Sequence, residues 1–479
     1  MADTNPRLFE LKEGTSDKFW EISLNGTSHT VRYGRVGTDG QSKTKEFDTE
    51  QKALASCEKL IKQKTGKGYR EVTGSGGSRQ KQAEASQAQA KEREPFLRAI
   101  LESPDDPAAY LVYADWLEDN GEALGELIRI HWQLEDEGLK AADRKPLVAR
   151  EKALLKEHEA EWLGDLSDDL IGQKGPADLL WGDKKFYQWQ MGRGFLDSLH
   201  IEYLLPAFAQ ALKKSPLAST LRKLTIRNPS SAYDLEEMDE YAEREWDEDD
   251  APALKLLNGT KFDNLRFFEV SEQDQCHCMT PSVQNAIKLM PRLESLQLDA
   301  HDINVAAIFR LKLPHLKSLT LMHTADRYPL EVLAANKSME KLESLYIWPH
   351  AMDFDAEGAY IDLKGFEGLC RSKHLPSLQN LTLRLTDVGD AGLAALVKSP
   401  LYQQLKTLEL IGGIITDAGV TTLCEAGSAS LEQLDLTENY ITKDGVKQLQ
   451  GTFPFAEAKD QYSGEPTDEF EYLWNGDIE

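Results

Sequence analysis

Cys276-His277-Cys278 is where soft metal donors crowd together in this 479-residue sequence. Zinc takes four such donors, ordinarily from two pairs spaced Cys-x₂₋₄-Cys or the histidine equivalent. Here the donors are adjacent or two apart and no second pair lies nearby, so no metal site is expected. His301, His323, His350 and His374 fall in loops, where surface or packing roles are expected. No Gly-rich phosphate loop, His-Glu-x-x-His or Gly-x-Ser-x-Gly motif is present. With 81 Asp and Glu residues, singling out a catalytic carboxylate pair would be arbitrary. The expected chemistry is therefore non-covalent: no enzyme, no cofactor, and side chains suited to holding a partner.

Two sets of such side chains stand out. Met322, Tyr346, Trp348 and Arg384 recur between leucines, followed by Glu409, Ile411 and Asp435. Aromatic and arginine side chains are the usual anchors of protein interfaces. The alternative is that a loop or the C-terminal tail of the same chain covers them. The second set is basic: Tyr33, Arg35, Lys43, Lys45, Lys64 and Lys67. It reads either as a solvated face or as a contact for DNA or RNA, which needs several phosphates neutralised together.

An internal repeat positions the first set. The register Leu-x-x-Leu-x-Leu occurs at Leu293/Leu296/Leu298, Leu316/Leu319/Leu321, Leu342/Leu345/Ile347, Leu378/Leu381/Leu383, Leu405/Leu408/Leu410 and Leu431/Leu434/Leu436. It also occurs at Leu221/Leu224/Ile226, with degenerate copies beginning at Leu196 and Leu265. The last three copies share a later pattern, Val388/Gly392/Leu396, Ile415/Gly419/Leu423 and Ile441/Gly445/Leu449. Each copy reads as a short strand and a helix that bury their apolar sides only by stacking. This register resembles leucine-rich-repeat proteins of the ribonuclease-inhibitor kind, which implies a parallel sheet on a curved inner surface. The third, fifth and seventh positions would face solvent there. They are Ser295, Gln297, Asp299; Ser318, Thr320, Met322; Ser344, Tyr346, Trp348; Asn380, Thr382, Arg384; Thr407, Glu409, Ile411; and Gln433, Asp435, Thr437. The asparagine slot after the strand is filled at Asn439, with Thr386 and Gly413 in the two preceding repeats.

The basic set sits in a small α+β unit. Strand-like runs around Leu8–Leu11 and Phe19–Leu24 lead through Asn25-Gly26, a hairpin signal, to a strand from Thr30 to Val36. Gly37-Thr38-Asp39-Gly40 is a further turn. Asp48 or Thr49 caps a helix whose apolar face is Ala53, Leu54, Cys57, Leu60 and Ile61. Lys18-Phe19-Trp20, Tyr33-Gly34-Arg35-Val36-Gly37, Gly40, Phe47, Ala53 and Lys64-Thr65-Gly66-Lys67-Gly68-Tyr69 together resemble the WGR domain, with Tyr33 in place of the signature tryptophan. In poly-ADP-ribose polymerases that domain grips DNA ends. The resemblance implies Tyr33 as a stacking residue and Arg35 as a cation bridging phosphate and a neighbouring domain. Further on, Leu111-Val112-Tyr113-Ala114-Asp115-Trp116-Leu117-Glu118 and Gly125-Glu126-Leu127-Ile128-Arg129 resemble a helical module that accompanies repeats in many planctomycete and related bacterial proteins. That resemblance implies architecture and a bacterial origin.

The expected fold class is thus α/β: a leucine-rich-repeat solenoid with a parallel sheet, preceded by a helical module and a small α+β WGR-like domain. The boundaries read 1–72 WGR-like domain, 73–94 flexible linker, 95–190 helical module, 191–453 solenoid and 454–479 acidic tail. Residues 233–251, with eleven acids and one arginine, read as a solvated insertion or as a docking segment for a basic partner. The tail, with Phe470, Tyr472 and Trp474, poses the same question, and either segment could mask the basic N-terminal face.

Charge is unevenly spread. Residues 1–95 hold 17 Lys and Arg against 14 Asp and Glu, while the rest hold 38 against 67, a net of −29. Most of the surface would repel a polyanion. Five scattered cysteines, no signal peptide and no run of 18 apolar residues point to a cytoplasmic chain with no membrane contact. The expectation is an adaptor or regulator whose solenoid binds a protein partner of basic or mixed charge. The alternatives are a nucleic-acid-binding regulator acting through the WGR-like domain, and an immunity-type neutraliser of a basic protein.

Overall fold

The computed structural model describes residues 4–13, 16–36, 40–72, 91–173, 185–229, 252–271, 280, 282–324, 326–350, 359–427, 430–464 and 466. Cys276-His277-Cys278, the acidic insertion 233–251, most of the expected linker (73–90), the turn residues 37–39 and the tail from 467 lie outside them. The chain forms two compact units, residues 1–95 and 96–479.

In the first unit β1 (Thr4–Glu13), β2 (Ser16–Asn25), β3 (Ser28–Arg35), β4 (Gln41–Glu46) and β5 (Arg70–Glu71) make an antiparallel sheet in the order β4-β3-β2-β1-β5. Gly26, at φ +55°, makes the β2–β3 turn that Asn25-Gly26 foretells. Helix α1 (Glu50–Gly66) starts at Thr49, not Asp48: the Thr49 hydroxyl accepts from the Lys52 amide. Its Cys57 packs with Phe9, Trp20 and Ile22, joined by Leu60 and Ile61. Leu54, expected on that face, is 46% exposed, because it lies about 100° round the helix from Ala53.

The second unit opens with α2 (91–102), α3 (Pro107–Asp119), α4 (Leu124–Leu134) and α5 (Ala141–Leu163). Four residues of the expected linker, 91–94, belong to α2; Lys, Glu and Arg are good helix formers. Asp106 caps α3 in front of Pro107, and Asn120-Gly121 ends it. Ile100, Tyr110, Tyr113, Ala114, Leu117, Leu127 and Ile128 bury one another between these helices.

A ten-stranded sheet follows, running in sequence order from β6 to β15. Its first strands are β6 (Tyr187–Gly192), β7 (Phe195–Tyr203), β8 (Lys223–Asn228), β9 (Phe267–Ser271) and β10 (Ser295–Asp299). It continues with β11 (Ser318–Met322), β12 (Ser344–Trp348), β13 (Asn380–Thr386), β14 (Thr407–Gly413) and β15 (Gln433–Asp435). All neighbours pair in parallel except β6 and β7. Leu199, Leu224, Phe268, Leu296, Leu319, Leu345, Leu381, Leu408 and Leu434 are aligned residue for residue across nine strands, and each is buried in one shared core. Helices between the strands close that core. The short β10–β12 strands alternate buried and partly buried positions, the two-residue period of a sheet with one face packed.

The sheet departs from the expected boundaries at both ends. The β6–β7 hairpin begins inside the segment expected to be helical. Arg193 (φ +53°) and Gly194 (φ +87°) make its turn, and a Cβ on Gly194 would collide with Ile128 of α4. The expected tail begins as part of the fold: Leu436 and Glu438 donate backbone hydrogen bonds to Glu457 and Lys459, and Tyr462 donates to Asn439. That stretch covers the edge of β15, satisfying backbone groups that a terminal strand otherwise exposes.

Candidate partner-binding face

The residues that alternate with the core leucines line the other side of the sheet. Thr320, Tyr346, Thr382, Glu409 and Asp435 form one row of Cα partners across β11–β15. Next to it Met322 pairs with Trp348, and Arg384 with Ile411. So the seven residues expected as partner-binding share one face. They are partly buried, not freely exposed. The cause is mutual cover. The Arg384 guanidinium carbon lies 3.9 Å from the centre of the Trp348 ring, and Arg384 Nη2 is 3.9 Å from Glu438 Oε2. Thr382 donates to Glu409 at 2.7 Å, and Gln433 donates to the same carboxylate. Burial raises the Tyr346 phenol above its usual range, with Glu409 and Asp299 adding to the effect and Arg384 opposing it. Among the described residues neither Trp348 Nε1 nor Arg384 Nε has a hydrogen-bond partner, although both are buried.

At the carboxyl ends of β10–β12 the loop histidines converge. The His301 and His350 rings are 5.0 Å apart, and His323 is 6.3 Å from each. His323 Nε2 lies 3.1 Å from Asp299 Oδ1. Among the described residues no group of three His, Cys, Asp or Glu is arranged to hold a metal ion. The available signal was positional: each histidine falls two or three residues after the last core leucine or isoleucine of its strand.

Sequence reasoning missed the continuation of this face onto β7–β9. There Arg227 donates to Ser271 at 2.8 Å and lies 3.5 Å from Glu269, while His200 is 3.3 Å from Glu202. These residues hold the fifth and seventh positions of their repeats. The degenerate registers at Leu196 and Leu265 concealed His200, Glu202, Glu269 and Ser271, whereas Arg227 stood in the regular copy at Leu221/Leu224/Ile226.

The N-terminal basic set divides. Lys64 Nζ lies 4.9 Å from the Tyr69 ring and 5.7 Å from Trp20. Burial, then the nearby charges of Lys67 and Lys18, holds its ammonium below the usual range. Lys43 and Lys45 stand on one side of β4, an edge strand exposed along its length, where lysines also discourage unwanted strand pairing. Tyr33 pairs with Trp20 and packs on the small core, so its ring is only partly available. The backbone of Arg35 pairs with Lys18, and its side chain lies outside the described residues. No described helix is long and apolar enough to cross a membrane.

Comparison with known proteins bears on the first unit. Residues 6–92 match the WGR domain. Over 65 residues, 14% of this chain, the sequence is 50% identical to the uncharacterized protein YfeS of Escherichia coli (strain K12), and the match spans 27% of that protein. A crystal structure of a Bacteroides fragilis protein from a structural genomics consortium aligns over 98% of this chain and 100% of its own, at 16% identity and a TM-score of 0.35. A score that low carries nothing over to this chain.

Proposed function

We propose that this chain is a non-enzymatic adaptor or regulatory protein. In this reading its second unit is a leucine-rich-repeat solenoid that holds a protein partner on the concave face. The observation that carries it is the aligned row of Tyr346, Thr382, Glu409 and Asp435 beside Met322, Trp348, Arg384 and Ile411. A rigid sheet that presents aromatic, apolar and charged side chains in fixed register has the composition of an interface centre. Affinity capture with the full chain, compared with Tyr346→Ala/Trp348→Ala, tests it. Proteins retained by the wild type and lost from the double variant are expected. An unchanged set would remove this face from the proposal.

A second reading rests on the WGR domain, with Lys64 beside the Tyr69 ring and near enough to Lys67 to feel its charge. Two neighbouring cations suit a phosphate backbone. The full chain should then retard short duplexes at low salt, and Lys64→Ala/Lys67→Ala should weaken binding and flatten its salt dependence. No retardation in the wild type would discard this reading.

A further inference from the structure

We infer that Arg384 occupies, within the chain itself, the place of a cationic side chain from the partner, so that binding proceeds by exchange of one cation for another over Trp348. The inference rests on the reading of this sheet face as the partner-binding surface, and it names the partner's chemistry: an extended segment rich in arginine or lysine.

Three observations carry it. First, Arg384 is the only lysine or arginine among the eighteen face positions of β10–β15, which also hold Asp299, Glu409 and Asp435. The face has an acidic balance, in keeping with the net −29 of residues 96–479. Second, the Trp348 ring with Tyr346 beside it and carboxylates around it is a favourable seat for a cation, and the 3.9 Å stacking shows it filled by a guanidinium. Third, Arg384 is held there mainly by the two aromatic side chains, stacked on Trp348 and hydrogen-bonded to Tyr346. Glu438 is 3.9 Å away, beyond hydrogen-bond reach, and Nε is buried without an acceptor among the described residues. A buried donor left unmatched is costly, so swinging Arg384 outward gives up the stacking and the Tyr346 contact but also relieves Nε. An incoming arginine would restore both the stacking on Trp348 and the hydrogen bond to Tyr346.

The test titrates the full chain against a fluorescent oligo-arginine peptide and an oligo-glutamate peptide of equal length, by anisotropy at about physiological ionic strength, where long-range charge effects are damped. Arg384→Ala should bind oligo-arginine about tenfold more tightly than the wild type, the equivalent of one displaced cation–π contact. Trp348→Leu, which keeps an apolar side chain but no aromatic ring, should bind it more weakly. Lys447→Ala removes an exposed positive charge on the last helix and should change little. Weaker or unchanged oligo-arginine binding by Arg384→Ala, an equal effect from Lys447→Ala, or a preference for oligo-glutamate lost with Arg384 would each overturn the exchange. So would failure of both peptides to bind. The capture experiment with Tyr346→Ala/Trp348→Ala would then still decide whether the face binds a protein at all. Oligo-arginine binding that survives that double variant would instead sink the underlying reading.

Discussion

Asn439 is fully buried, and its polar atoms are matched. Nδ2 donates to the carbonyls of Leu410, Leu436 and Thr437 at 2.9–3.1 Å, and Oδ1 accepts from the Ile415 amide at 3.0 Å. Asn439→Ala should destabilise the chain by about 2–4 kcal/mol, since it leaves buried backbone groups without partners. Chemical denaturation would show this as a lower midpoint at unchanged slope. This residue was legible in the sequence as the one filled asparagine slot. The reason for Gly413 in the preceding slot was not: a Cβ there would press on Asn439 Oδ1 and the Thr386 carbonyl. The sheet face proposed to hold a partner was legible to the same degree. Register alone assigns Tyr346, Trp348 and Arg384 to one side of the sheet, but the stacking of Arg384 on Trp348 depends on side-chain rotation between neighbouring strands, which no periodicity encodes.

The last three repeats are joined by a relay of carboxylates. Asp390 accepts from the Thr416 and Gly419 amides and the Thr416 hydroxyl, and so holds the start of the next helix, Asp417–Ala426. Asp417 does the same one repeat on, for Thr442 at the start of Lys443–Thr452. Gly419 and Gly445 leave room for these carboxylates, for a Cβ on either would overlap one. The sequence shows that glycine pattern, but its cause lies in the neighbouring repeat and so escapes a reading made one repeat at a time. Asp417→Ala should cost about 1 kcal/mol, the scale of a lost helix cap. Lys443 holds the corresponding position in the final repeat, so Lys443→Ala should stay within about 0.5 kcal/mol, as for ordinary surface changes. Thermal unfolding of both variants would compare them. Strands and helices that repeat were legible because one period recurs. The β6–β7 hairpin and the stretch covering β15 each occur once and break that period, so no internal copy announces them.

Across the second unit, arginines rivet the helical module to the first strands of the sheet. Arg193 pairs with Glu135 and stacks on Trp132, Arg266 reaches Asp105 at 2.5 Å, and Arg292 donates to the carbonyls of Leu101 and Glu102. Burial would raise the Asp105 carboxyl, but hydrogen bonds from Arg266 and Arg193 outweigh it and hold the group below its usual range. A depressed carboxyl stabilises the fold above its unfolded value, near pH 4, and that contribution fades as pH falls through the folded value. Asp105→Asn should therefore lower the melting temperature at pH 7 and narrow its gap to the wild type on acidification below about pH 4. A gap that stays constant with pH would show that the ion pairs contribute nothing. The relay that stops at Lys443 also bears on how such a chain could change in length. A duplicated unit spliced in upstream of Thr442, with its own aspartate and glycine, would find a donor on one side and an acceptor on the other. The same unit placed after Thr452 would meet an ammonium in place of a carboxylate, so insertion from within keeps a helix cap that addition there would forgo.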